Sequence, residues 1–75
     1  MPITLDTLPP GSRARVVGFD AGAGLVSRLV QMGLTPNTVL EVLSSWRGPV
    51  VVRARGVVIA LGRGMARKVL VEPLP

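Results

Sequence analysis

Residues 50–61 have the sequence VVVRARGVVIAL, in which two apolar runs flank Arg55-Gly56. A two-residue turn that contains glycine, set between valine-rich runs, is typical of a β-hairpin. Such a turn fixes the register of the two strands, because each side chain must face either the core or the opposite side. The register predicts three pairs of inward-facing side chains: Ala54 with Val57, Val52 with Ile59, and Val50 with Leu61.

The other face of this hairpin is predicted to be apolar apart from one arginine. It carries Val51, Arg53, Val58 and Ala60. Exposed apolar surface of this kind marks sites of contact with other proteins, so Val51 and Val58 are candidate partner-binding residues. The same face is also compatible with a homo-oligomer.

Three further valine-rich runs, separated by Gly and Pro, predict strands at residues 12–19, 38–45 and 68–72. Five short strands in 75 residues indicate a single, mainly β domain spanning residues 1–75, either a barrel or a sandwich. In the first strand, the alternation of side chains directs Arg13 and Arg15 outward.

One helix is predicted over residues 24–32, and its end is the clearer boundary. Gly33 can adopt the left-handed conformation that ends a helix, and Pro36 prevents its continuation. Leu25, Leu29 and Met32 recur at helical spacing and are predicted to face the core.

Val26 and Val30 form a second apolar pair on this helix, four residues apart. One interpretation leaves both exposed with Arg28 as an interaction patch. The alternative is a helix in a deep groove that buries both valines. The sequence leaves these two interpretations open.

Trp46 is the only tryptophan and lies in a predicted turn with Arg47, Gly48 and Pro49. A large ring in such a turn is expected to be partly exposed. Trp46 is therefore a candidate anchor for a partner, or else a cap on one end of the barrel.

The composition excludes most chemistry. The chain has no Cys and no His, which removes disulfides, thiol nucleophiles and imidazole ligands or bases. Its four acidic residues, Asp6, Asp20, Glu41 and Glu72, are far apart in sequence. The sequence therefore predicts no catalytic residue, metal site, cofactor or small-molecule substrate, and the protein is not expected to be an enzyme.

The net charge of +5 and a pI near 11.8 predict attraction to an acidic partner, and a basic barrel that binds nucleic acid is one alternative function. Against it, only Phe19 and Trp46 are available to stack on bases. Recognition of proline-rich peptides needs an aromatic-lined groove, and the chain has no tyrosine.

Several segments resemble the FeoA family in order and spacing. They are LPPG at 8–11, ARVVGF at 14–19, LVQMGLTP at 29–36, the hairpin at 50–61 and ARKVLV at 66–71. The resemblance implies an SH3-like five-stranded barrel with one short inserted helix. It also implies a regulatory accessory of FeoB, the GTPase-coupled membrane transporter that imports ferrous iron in bacteria. A related domain occurs in iron-dependent repressors, but this chain shows no helix-turn-helix segment.

The leading hypothesis is that the barrel binds the cytosolic part of a FeoB-type transporter through the helix patch. Arg13, Arg15 and Arg28 would steer the encounter electrostatically. The beginning of the chain has no basic, long apolar leader, so the expected location is the cytoplasm, with recruitment by the transporter to the inner face of the membrane.

Overall fold

Six antiparallel strands form the body of the protein, and the computed structural model describes all residues from 1 to 75. The strands are β1 (Ile3–Thr4), β2 (Arg13–Phe19), β3 (Val39–Ser44), β4 (Val50–Ala54), β5 (Val57–Leu61) and β6 (Val69–Leu74). They are hydrogen-bonded in the order β1-β6-β2-β3-β4-β5. The predicted mainly β, SH3-like class is confirmed, although the edge strands β1 and β5 do not pair to close the barrel.

Three short helical segments connect the strands. They are a 3₁₀ turn (Leu5–Thr7), α1 (Ala23–Gln31) and α2 (Arg63–Ala66). The predicted helix differs from α1 by one residue at each end. No helix is long and apolar enough to cross a membrane.

The hairpin formed by β4 and β5 has the predicted register, with Val52 opposite Ile59 and Val50 opposite Leu61. Arg55 and Gly56 both have positive φ, +53° and +76°, as a type I′ turn requires. One inward assignment is wrong, because Val57 is 57% exposed. It is the first residue of an edge strand, beside the turn, and no strand lies beyond it.

A single cluster of 16 buried apolar residues fills the inside of the sheet. Ala14 and Val16 of β2 are both fully buried, as the alternation predicts. Leu29 of α1 joins the cluster, whereas Leu25 and Met32 pack against it while partly exposed. The helix therefore covers the core with one stripe of side chains and is not enclosed.

The end of α1 is a Schellman motif. Gly33 has φ +102° and donates its N–H to the Val30 carbonyl at 3.0 Å, and Leu34 donates to the Leu29 carbonyl at 3.0 Å. The chain then turns at once into β3. Thr38 donates to the Thr35 carbonyl at 3.1 Å across Pro36 and Asn37, whose φ of +74° makes this a type II turn.

Four features were not predicted: β1, the 3₁₀ turn, the α2 segment, and the extension of β6 beyond Glu72. The predicted strand ends at Glu72, before Pro73, a residue that has no backbone N–H to donate. The strand continues because β1 pairs only with Val71 and Leu70, which leaves the β1 side of Pro73 without a neighbouring strand. Two-residue strands and one-turn helices lack the periodicity that sequence patterns reveal.

Candidate docking surface

The helix α1 exposes an apolar pair at the border of its buried stripe. Val26 is half-buried and Val30 is 39% exposed, and the two are one turn apart. The interpretation that buries both valines in a groove is therefore wrong for Val30. We refer to Val26 and Val30 as the valine pair.

Arg28 lies on the other flank of the helix. Each residue rotates the side-chain direction by about 100°, so Arg28 is about 200° from Val26, on the far side of the stripe that Leu29 buries. Arg28 is exposed and has no salt-bridge partner. It contributes positive charge near the valine pair rather than contact surface continuous with it.

The C-terminal end of α1 lies beside the edge strand β5. A Cβ built on Gly33 would lie 4.0 Å from Cδ1 of Ile59. The valine pair and the exposed valines of β5 thus belong to neighbouring elements of the structure.

The outer face of the hairpin carries the predicted residues, but their side chains are exposed to different extents. Val58 is 58% exposed and Ala60 is exposed, whereas Val51 is half-buried. Arg53, opposite Val58, donates to a Glu41 carboxylate oxygen at 3.5 Å. The apolar surface is therefore concentrated on β5, at the edge of the sheet.

The two arginines of β2 differ in whether other side chains bind their guanidinium groups. Arg15 donates to Oδ1 of Asn37 at 2.8 Å and to the Glu72 carboxylate at 3.2 Å. Arg13 is exposed and has no salt-bridge partner, although Glu41 is its neighbour on β3. Of the two, only Arg13 is free to act on a distant partner.

Trp46 is 81% exposed, so it does not cap the barrel. Arg63 of α2 binds the backbone of the loop that carries Trp46, residues 45–49. The Arg63 guanidinium donates to the carbonyl oxygens of Ser45 at 2.9 Å, of Gly48 at 3.5 Å and of Asp6 at 3.2 Å. The tryptophan therefore stands on a backbone that is anchored at both ends of the loop.

Sequence reasoning missed Arg63 and also Arg55, which donates to the hydroxyl oxygens of Thr35 and Thr38 at 3.3 and 3.2 Å. Both arginines bind oxygen atoms of segments distant in sequence, and a local sequence pattern does not predict such contacts. Apart from these two arginines and the three that are paired with carboxylates, the positive charge rests on Arg13, Arg28, Arg47 and Lys68, which are all exposed.

The surface offers neither a pocket nor a group of three or more acidic side chains that could hold a metal ion. Three of the four acidic residues are paired with arginines: Glu72 with Arg15, Glu41 with Arg53, and the mostly buried Asp6 with Arg67 at 3.8 Å. What the arrangement can do chemically is to present separate apolar and basic areas to another macromolecule.

Comparison with known proteins places the whole chain in one family. Residues 3–73 match the FeoA domain. The chain is 42% identical over 62 residues to a Methanocaldococcus jannaschii protein named "Putative Fe(2+) transport protein A", covering 83% of this chain and 76% of that protein.

Solved structures agree with this assignment. A crystal structure of an iron uptake regulatory protein, FeoA, has a TM-score of 0.91 and 38% identity, covering 99% of both chains. The Chlorobium tepidum FeoA protein has a TM-score of 0.83 and 28% identity, covering 97% of this chain and 71% of that one. A manganese-dependent transcriptional repressor has a TM-score of 0.86 at 21% identity and covers 97% of this chain and 41% of its own, which shows a shared fold alone.

Proposed function

The chain belongs to the FeoA domain family, and from this premise we propose that it regulates ferrous iron uptake by docking on the cytosolic side of a FeoB-type transporter. The valine pair is the contact, and Arg13 and Arg28 steer the encounter. The protein itself neither carries the iron nor catalyses a reaction. The single observation that carries the proposal is the 39% exposure of Val30, one helical turn from the half-buried Val26.

The composition and the surface support a role through contact. The chain has no Cys and no His, and it has no cluster of acidic side chains. Ferrous iron bound to carboxylates alone would require several oxygens from converging side chains. Three of the four acidic residues instead lie with arginines, so influence on iron uptake through a partner is the simpler mechanism.

The valine pair offers a modest but useful contact energy. Burying a whole valine side chain is worth about 1.5–3 kcal/mol, so covering the exposed part of Val30 contributes on the order of 1 kcal/mol. A contribution of this size is one part of a larger interface, because association itself costs several kcal/mol. Unpaired arginines raise the association rate more than the affinity, because their electric field acts on the partner before contact is made.

The test is to measure binding of the purified protein to a FeoB-type transporter from the same cell, held in nanodiscs. We expect Val30→Asp to raise the dissociation constant by more than about tenfold, because docking would remove water from the new carboxylate. The matched control is Val39→Asp, because Val39 is a valine of similar exposure, 42%, on β3, where it lies opposite Arg15 of β2. We expect the control to change binding by less than about twofold.

Arg28→Glu separates steering from contact. It should lower the association rate at low salt and leave the dissociation rate nearly unchanged, and the difference should shrink as salt is added. Circular dichroism and melting curves establish that every variant is folded. Equal binding by Val30→Asp and Val39→Asp would reject the helix as the contact, and no binding by the unmodified protein would reject the transporter as the partner.

A further inference from the structure

The edge strand β5 is apolar, and no strand pairs with its outer edge. It pairs only with β4, and no backbone hydrogen bond from a turn or loop reaches residues 57–61. Natural sheets usually protect such an edge with lysine, proline, a bulge or a covering element. None of its residues is charged, and Val57 and Val58 are 57% and 58% exposed. The other edge, β1, has only two residues.

The hairpin register identifies which backbone groups of β5 are free. In a two-residue hairpin the residues that flank the turn exchange hydrogen bonds, and bonded pairs then alternate along the ladder. Val57, Ile59 and Leu61 therefore bond to β4. The N–H and C=O groups of Val58 and Ala60 point away from it, toward the open edge.

These two residues are spaced for self-pairing. When a second β5 approaches antiparallel with Ile59 opposite Ile59, Val58 falls opposite Ala60 of the second copy, and Ala60 falls opposite its Val58. Each of these pairs exchanges two backbone hydrogen bonds, so all four outward groups on each strand are satisfied. The arrangement is two-fold symmetric and closes on itself.

We propose that β5 is a homodimerisation edge, in which two copies pair antiparallel about an axis at Ile59 and join their six-stranded sheets into one. This inference is independent of docking to a transporter. We favour a second copy over an acidic partner strand because β5 has no basic side chain that could pair with acidic residues. Arg53, the nearest charged side chain on the outer face of β4, is paired with Glu41 at 3.5 Å. Beyond the strand ends the same register aligns Arg55 with Arg63 of the second copy, and these two guanidiniums, each bound to neutral oxygen atoms of its own chain, add repulsion that salt screens.

The charge of the chain predicts how salt acts. Each copy carries a net charge of +5, so two copies repel at long range, and screening should strengthen the dimer. Binding of an acidic partner would weaken under the same change. A five-residue edge strand makes a small interface, so the dimer is expected to be weak and concentration-dependent.

The test is sedimentation equilibrium of the full chain from about 10 µM to about 1 mM, at low and moderate salt. We expect a monomer–dimer equilibrium that tightens with salt. Amide hydrogen exchange adds a local readout: the amides of Val58 and Ala60 should become protected as concentration rises. The amide of Ile59, already bonded to β4, should be protected at every concentration.

Two variants address the edge by different routes. Ala60→Pro removes an N–H that only the dimer uses, and proline is tolerated where the N–H faces away from the sheet. Val58→Lys places a charge at the edge without touching the backbone. Both should be monomeric, whereas Val39→Lys, with the same charge at a valine on β3, should dimerise normally. A monomer at about 1 mM, a dimer that survives both edge variants, or a larger oligomer would overturn the proposal.

Discussion

The guanidinium of Arg63 donates a hydrogen bond to the carbonyl oxygen of Ser45 at 2.9 Å, across 18 positions of sequence. The same side chain also reaches the carbonyl of Asp6 in the 3₁₀ turn at 3.2 Å. One arginine thus joins three segments that share no strand pairing: the loop that carries Trp46, the N-terminal turn and α2. Since these bonds satisfy backbone carbonyls, their value lies in ordering the loop as well as in stability.

Replacing Arg63 should therefore loosen this end of the protein. Arg63→Ala leaves the Ser45 and Asp6 carbonyls without their charged donor, and we expect a loss of about 1–3 kcal/mol in the free energy of unfolding, measured in urea. The fluorescence anisotropy of Trp46 should also fall, because its loop is released. Arg47→Ala is the control, since Arg47 is exposed and makes no side-chain hydrogen bond. An unchanged anisotropy in Arg63→Ala would show that the loop is ordered without it.

Two glycines near α1 should respond in opposite directions to alanine. Gly33 has φ +102°, which an L-residue adopts at a cost of about 1–2 kcal/mol, so Gly33→Ala should lower the melting temperature by several degrees. The cost is conformational, because a Cβ there would meet only Ile59, at 4.0 Å. Gly24, inside α1, has open space around its Cβ position, so Gly24→Ala should stabilise by about 0.5–1 kcal/mol. Shifts of the same sign would contradict the Schellman assignment.

The prediction of this helix end succeeded because its signals are local. Gly33 and Pro36 act on their own backbone and on the preceding turn, and the Arg55-Gly56 turn fixes the hairpin register in the same way. The exposure of Val57 was not predictable by this route. Alternation states which face a side chain occupies, but whether another element covers that face depends on the sheet order.

The candidate surface was predicted less completely than the fold. Composition and spacing identified the valine pair and Trp46 as candidates but left open whether their side chains are exposed. The division of the arginines does not, because Arg15 and Arg63 are held by oxygens from segments distant in sequence, whereas Arg13 and Arg28 are free. Net charge alone cannot distinguish these two groups.

The ion pair of Arg15 with Glu72 should contribute little to stability. Its side chains are 35% and 50% exposed, so solvent and salt screen the attraction. We expect Glu72→Gln to lower the free energy of unfolding by no more than about 1 kcal/mol at low salt. The difference should vanish near 1 M salt, where the screening length is about 3 Å. A larger loss that persists in salt would mean that Glu72 orders β6 by hydrogen bonding.

Trp46 provides the sharpest separation of stability from binding. With 81% of its surface exposed, the ring contributes little to the core, and we expect Trp46→Ala to change the free energy of unfolding by less than about 0.5 kcal/mol. An exposed tryptophan on an anchored loop has already lost much of its freedom before a partner arrives, so little ordering cost remains on binding. If Trp46 is an anchor for the transporter, Trp46→Ala should weaken binding to it by about tenfold or more.

Arg63→Ala should then weaken binding as well, through the released loop, while Arg47→Ala changes mainly the association rate. Undiminished binding by Trp46→Ala would remove the loop from the docking surface and leave the valine pair of α1 as its centre.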